Sequence, residues 1–338
     1  MASDQQGSRG FRAARRAWIL VTVCGLTLSG CARTTGVHRV GILYPVGGFG
    51  AIVAGFRARM AELGYVEGQG VVYDVQESKD DRAEMRRIAD RFVKDNVDLI
   101  FAVGTPPTLM AKEATQGKRI PVVFAYAGVE GTGVVRDVRE PGGTVTGVRY
   151  AGPEQIVKRL EILLEIAPQA RRVWVGYDRG NPNNTATLEA LRRAASSNGV
   201  TLLETPAATL EEMGKDLAAR EASTDVGMDA IILMPDGFNN GPQGLQAICG
   251  FARRHRIPVG GSFRYTVEAG ALFGNADNLT QVGGLAAPLV DKIFHDIPAG
   301  TIPVVTPESE LWVNNAVAKE LGLLVPEGLL RMASGILP

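Results

Sequence analysis

Short apolar runs recur along this chain, each closed by a turn and followed by an apolar stripe at helical spacing, and that alternation leaves few folds open. Val40 to Tyr44 ends at Pro45 and a glycine cluster; Ile52, Val53, Phe56, Met60 and Leu63 then repeat at helical spacing up to the stop signal Gly64. Val71 to Val75 alternates as a strand does. Asp81 is placed to cap a helix whose inner face carries Met85, Ile88, Phe92 and Val93, and Asp98 to Val103 is a continuous apolar strand. Pro107 to Thr115 predicts a helix and Pro121 to Ala125 another buried strand. Strands apolar on both faces need helices on both sides, which predicts an α/β fold built on a parallel sheet.

Gly142-Gly143-Thr144-Val145-Thr146-Gly147 reads as a turn leading into an extended segment, after which the alternation begins again, as at a domain crossover. Strands are predicted at Val173 to Tyr177, Thr201 to Glu204, Ala230 to Met234 and Pro258-Val259. Helices fall at Pro153 to Ile166, Thr185 to Asn198, Leu210 to Ala222 and Gly244 to His255. One more strand and a long helix occupy Ala271 to Phe294, and Trp312 sits in a last short strand before helices near Asn315 to Leu321 and Pro326 to Met332. Two similar halves result. Open sheets of this kind bind ligands at the carboxyl ends of their strands, so the predicted site is a cleft between the halves.

The amino terminus bears on location. Arg9, Arg12, Arg15 and Arg16 precede an apolar run from Trp18 to Leu28, which is shorter than the roughly 20 residues that span a bilayer. Leu28-Ser29-Gly30-Cys31 closes it and resembles a bacterial lipobox, in which cleavage leaves an acylated cysteine as membrane anchor. An ordinary secretory leader or an uncleaved anchor are the alternatives, and the Arg15-Arg16 pair also admits twin-arginine export. Each places the body in the cell envelope, facing the periplasm or extracytoplasmic space. Losing residues 1–30 removes four arginines and Asp4, turning 36 basic against 36 acidic residues into 32 against 35, a net charge of −3. That balance gives no reason to expect a nucleic-acid partner. Of the cysteines, Cys24 leaves with the leader, Cys31 takes the lipid and Cys249 has no mate, so no disulfide framework is expected. His38, His255 and His295 lie far apart with no cysteine or carboxylate at ligand spacing; no metal and no cofactor are expected.

The run Phe56-Arg57-Ala58-Arg59-Met60-Ala61-Glu62-Leu63-Gly64-Tyr65-Val66-Glu67-Gly68-Gln69 resembles a segment of the ABC transporter substrate-binding lipoprotein family, which includes tryptophan- and aromatic-amino-acid-binding proteins. Collinear matches follow at Gly104-Thr105-Pro106, Pro121-Val122-Val123-Phe124, Pro141 to Gly147, Lys158 to Leu163 with Pro168, and Glu320-Leu321-Gly322-Leu323 with Pro326 and Leu329-Leu330-Arg331. The resemblance spans the mature chain. It implies the type I periplasmic binding protein fold: two Rossmann-like lobes with parallel sheets, joined by a three-strand hinge. The expected division is a signal peptide over 1–30, a lipidated tether over 31–37, lobe I over 38–147 and 268–300, and lobe II over 148–267 and 301–338. The implied function is capture of an amino-acid-like or aromatic small molecule and its delivery to ABC permease subunits. The chain departs from the family where Gly128-Val129 replaces the usual Asp-Pro, where Arg149 replaces a small polar residue, and in the glycine-rich loop at Gly47, Gly48 and Gly50.

Within the expected cleft, Thr105 follows an apolar strand and precedes Pro106 and Pro107, so its hydroxyl can cap a helix whose free amides suit a carboxylate. A plain N-cap is the alternative. Asp236, after Met234-Pro235, can meet a ligand ammonium, or can form an Asx turn before Gly237. Asn181 and Asn184 offer amide groups at a neighbouring strand end, or stabilise their own loop. Tyr126 and Phe263, each just past a strand, can stack on an aromatic ligand, with core packing the alternative for Phe263.

Two other function classes compete with capture for an importer. Gly48-Phe49-Gly50 before a helix, with Asp74 on the next strand, partly mimics a dinucleotide fingerprint but has Val53 where the third glycine belongs. No nucleophile elbow or His, Cys and Asp arrangement supports a hydrolase, so the chain is expected not to be an enzyme. An orphan receptor reporting to an envelope sensor is the other, and neighbouring genes for a permease and ATPase would separate it from transport. Replacing Cys31 with alanine should move the protein from the membrane to the soluble fraction; continued acylation would refute the lipobox.

Overall fold

The structure, a computed structural model, describes residues 36–338; the leader, Cys24 and Cys31 lie outside the described residues. A first lobe opens with β1 (His38–Tyr44), α1 (Gly50–Glu62), β2 (Val71–Glu77), α2 (Arg82–Lys94), β3 (Leu99–Val103), α3 (Thr105–Ala114), β4 (Val122–Ala127) and β5 (Val145–Arg149). Its sheet is parallel throughout, in the order β2-β1-β3-β4-β5. Every residue of β3 and β4 is buried, as continuous apolar runs covered on both faces require. Asp81 caps α2 as expected, its Oδ1 accepting from the amides of Ala83 and Glu84 at 2.8 and 3.1 Å.

The second lobe contains α4 (Gly152–Ile166), β6 (Arg172–Asp178), α5 (Pro182–Ser197), β7 (Thr201–Ala207), α6 (Leu210–Glu221), β8 (Ala230–Ile232), α7 (Gly237–Asn240), α8 (Pro242–Arg254), β9 (Val259–Gly261), α9 (Arg264–Glu268) and β10 (Phe273–Asp277). The chain then returns to the first lobe with α10 (Leu279–Phe294), and finishes in the second with β11 (Ser309–Asn314), α11 (Asn315–Leu321), α12 (Glu327–Met332) and β12 (Gly335–Leu337). The second sheet runs β12-β11-β10-β9-β8-β6-β7. It is parallel except that β11 lies antiparallel to β10, a reversal that the expectation of purely parallel sheets did not contain. Each sheet has apolar clusters on both faces: in the first lobe one around Phe56 and Phe101 and one around Phe92 and Phe124, in the second one around Leu160 and Leu191 and one around Trp174 and Phe251.

The lobe boundaries differ from those expected. The segment 268–300 does not lie wholly in lobe I, because β10 hydrogen-bonds between β9 and β11 in the second sheet and only α10 crosses back. An apolar strand bears no mark of which sheet it will join. Residues from 301 do not go straight to lobe II either: the Thr146 hydroxyl donates to the Ile302 carbonyl at 2.7 Å, and Val305 pairs beside β5 before the chain leaves. The crossings therefore lie at Tyr150-Ala151, at Asp277-Asn278 and just after Val305.

Helix α10 docks on α1 through paired glycines. A methyl group at Gly55 would overlap the Thr280 carbonyl oxygen, and one at Gly283 would overlap that of Ile52. The two backbones meet with no side chain between them, which holds the returning helix against the first sheet. Gly55→Ala should therefore destabilise the protein by about 1–3 kcal/mol in urea unfolding, the usual range for overpacking; an unchanged midpoint would refute this close approach.

Candidate ligand-binding site

The carboxyl ends of both sheets face one another across a seam beside the crossings. From the first lobe comes Tyr126, at a bulge where the register of β4 against β5 shifts between Ala125 and Ala127. Its φ is +59°, an uncommon value for an aromatic residue, and such strain costs on the order of 1–3 kcal/mol. The bulge turns the ring inward, 4.9 Å from that of Tyr150 and 5.9 Å from that of Phe49. From the second lobe Phe263 comes within 6.3 Å of Tyr126 and stacks on Tyr265 at 5.3 Å. Phe49 belongs to the glycine-rich loop, so that loop brings an aromatic ring to the seam rather than bare backbone. Burial pushes the Tyr126 and Tyr150 hydroxyls well above their usual range, so both are neutral at physiological pH.

Thr105 is buried, but Gly104, at φ +85°, occupies the N-cap of α3. Pro106 and Pro107 have no N–H, and the Thr108 amide returns to the Gly104 carbonyl, which differs from the expected row of free amides. The Thr105 hydroxyl instead accepts from the Gly128 amide at 2.9 Å and donates to Asn183 Oδ1 at 2.8 Å, a hydrogen bond between the lobes. Gly128 is what allows it, since a methyl there would lie 2.6 Å from Asn183 Oδ1. Tyr150, Pro153 and Thr187 line the small crevice around this contact. A broader concavity, lined by Ala54, Arg57, Ala58, Ala61, Tyr65, Glu67 and Tyr73, lies on the outer side of α1 and has none of these groups.

Asp236 is buried and saturated by its own lobe. Its Oδ2 accepts from the Asp178 amide at 2.9 Å and Asn184 Nδ2 at 2.8 Å, and its Oδ1 from the Asn239 amide at 3.1 Å and Asn239 Nδ2 at 2.7 Å. The Asx-type cap thus occupies the carboxylate expected to meet a ligand ammonium, and Asn184 is engaged with it. Asn181 caps α5, accepting from the Asn183 amide at 2.9 Å. These three side chains shape the strand ends, and of their buried polar atoms only Asn184 Oδ1 has no partner.

Further unpartnered polar groups come from residues that the sequence pattern did not single out. Asp277, at the end of β10, is 4% exposed, and neither carboxylate oxygen has a hydrogen-bond partner. Gln155, also buried, has both side-chain polar atoms unpartnered. Arg159 is fully buried; it donates to the carbonyls of Leu233 and Asn275 while its Nε has no partner. Ser262 Oγ and Asn275 Oδ1 are unpartnered too. A signal existed: Gln155 and Arg159 lie four residues apart on the same face of α4 as Ile156, Leu160 and Leu163, where an amphipathic helix carries apolar residues. Among the described residues no group of His, Cys, Asp and Glu is placed to hold a metal ion.

Burial raises the acid of Asp277 from 3.8 to about 7, against the smaller opposing effects of Gln155 and Arg149. The folded chain thus keeps a proton that the unfolded chain releases near pH 3.8, so the stability this group confers falls as pH rises through that window. Asp277→Asn keeps the shape and removes the titration. Its ligand-free form should match the wild type in unfolding free energy at about pH 4 and exceed it at about pH 8 by at most on the order of 4 kcal/mol, read by urea unfolding at each pH. An equal difference at both pH values would refute the buried ionisation.

This arrangement has counterparts. Residues 39–336 match the ABC transporter substrate binding protein family. The chain is 27% identical over 271 residues to a tyrosine-binding protein of Clostridioides difficile strain R20291, covering 80% of this chain and 76% of that one. A conserved domain protein from Vibrio cholerae superposes with a TM-score of 0.79 at 26% identity, covering 89% of this chain and 100% of that one. The ABC domain from Streptococcus pneumoniae solved in complex with L-Trp shares the fold, with a TM-score of 0.78 at 22% identity and coverage of 89% and 100%. The two lobes and their crossings are those of type I periplasmic binding proteins. The chain belongs to the ABC transporter substrate-binding protein family.

Proposed function

We propose that this chain captures an aromatic amino acid in the seam between its lobes and delivers it to the permease of an importer, tethered in the cell envelope by lipid on Cys31. One observation carries the ligand class: rings from both lobes, Tyr126, Tyr150 and Phe263 with Phe49 and Tyr265 beside them, meet near buried polar atoms, the Asp277 carboxylate and the Gln155 amide, that have no protein partners. A ligand with a flat apolar end and a strongly polar end complements both parts. The similarity to a tyrosine-binding protein and to a fold solved with L-Trp supports the same reading.

Binding of this kind needs no covalent chemistry. Ligand that touches both lobes favours the closed arrangement by its extra contacts there, and the Thr105–Asn183 hydrogen bond forms only when the lobes meet. A permease that recognises both lobe surfaces at once would read that state. The lipobox at Leu28 to Cys31 supports the tether, and the arginine-rich leader before it supports export.

A thermal-shift panel of amino acids on the purified protein tests the proposal. L-tyrosine, L-tryptophan or L-phenylalanine should raise the melting temperature saturably, and Tyr126→Ala should weaken that ligand by about tenfold or more. No shift with any of the three would contradict it.

A further inference from the structure

The polar end of the seam has a chemistry of its own. Asp277 contributes two buried oxygens without partners, and Gln155 Oε1 is a third buried acceptor of the same kind. The two residues are neighbours, since Gln155 is close enough to favour the Asp277 charge without closing a hydrogen bond of ordinary geometry. The cations nearest this pair are committed elsewhere. Arg149 contacts Glu130 and Glu154, and the guanidinium of Arg159 turns its Nη atoms to the carbonyls of Leu233 and Asn275. The rings of Tyr126 and Tyr150 stand close enough for the Asp277 charge to act on their hydroxyls. A buried carboxylate with no partner is unfavourable by several kcal/mol and is kept where something else supplies the missing charge and hydrogen bonds.

We infer that Asp277, backed by Gln155, is the anchor for a primary ammonium group on the ligand. This rests on the capture of an aromatic amino acid proposed above and assigns one end of that molecule. An ammonium presents several N–H donors and a full charge, which matches a carboxylate whose two buried oxygens both lack partners. A hydroxyl would satisfy one acceptor and leave the carboxylate uncompensated. Discrimination follows, because a site built around such a pair rejects a ligand lacking the donor far more strongly than an apolar pocket rejects a missing methylene. The selecting carboxylate is thus the one at the end of β10, beside the second crossing, and Asp236 stays with its four donors in the second lobe.

Titration calorimetry with three matched pairs tests this: L-tyrosine against 3-(4-hydroxyphenyl)propionate, L-tryptophan against indole-3-propionate, and L-leucine against 4-methylpentanoate. Wild-type protein should prefer the amino member of whichever pair binds by about 100-fold or more. Asp277→Asn should lose about that factor for the amino member while binding the deaminated member at least as well, so the preference collapses; Gln155→Leu should reduce it partially. Circular dichroism of each variant reports folding independently. Equal binding of both members by wild type, or an undiminished preference in Asp277→Asn, would overturn the assignment. Preference confined to the leucine pair and lost in Asp277→Asn would uphold the ammonium anchor and sink the aromatic reading, and no binding by any amino member would sink both.

Discussion

Everything in the seam depends on the three crossings, which leave from β5, from β10 and from the segment paired beside β5. The end of β5 and the third crossing are laced by backbone hydrogen bonds, Val305 N–H to the Gly147 carbonyl and Arg149 N–H to the Val305 carbonyl, each 2.9 Å. Arg149 then ties the first lobe to the second: it contacts Glu130 before β5, Glu154 in the first turn of α4, and the Thr306 hydroxyl at 2.8 Å. Its side chain is only 14% exposed, so solvent screens these contacts less than at an open surface. With the chain continuous only there, the rest of the seam is side chain against side chain, and opening is rotation about those crossings. Arg149 is thus part of the hinge itself.

Burying polar atoms without partners is unfavourable, and here several such atoms lie near the place where the lobes meet. Gln155, Arg159, Ser262, Asn275 and Asp277 all contribute, and the positive φ of Tyr126 adds strain a few ångströms away. The apolar clusters on both faces of each sheet offset this, with large side chains such as Phe56, Phe92, Trp174 and Phe251 fully buried. Polar groups thus remain unsatisfied beside the seam, the arrangement expected where a ligand supplies what the protein lacks.

Much of the architecture was legible because parallel strands covered on both faces must be continuous apolar runs, and Leu99–Val103 or Val122–Ala127 can be little else. The assignment of β10 to a sheet was not, since Phe273–Asp277 is a short strand that is buried throughout and carries no mark of which sheet takes it. The same limit governs the carboxylates. Asp236 and Asp277 both follow buried strand residues, and only the fold reveals that Asn184 and Asn239 hydrogen-bond the first while no hydrogen bond closes on the second. Tyr126 and Phe263 were identifiable as strand-end aromatics, but the bulge that turns Tyr126 across the seam depends on pairing between β4 and β5. Gln155 and Arg159 were visible as polar intrusions on an apolar helical stripe, a local conflict of the kind that marks function.

The most direct measurement is a crystal structure of the protein grown with L-tyrosine or L-tryptophan. Ligand density between Tyr126 and Phe263, with the amino nitrogen within hydrogen-bond distance of Asp277, is the predicted result. Density on the outer side of α1, or a seam filled only by ordered water with the ligand bound elsewhere, would contradict it.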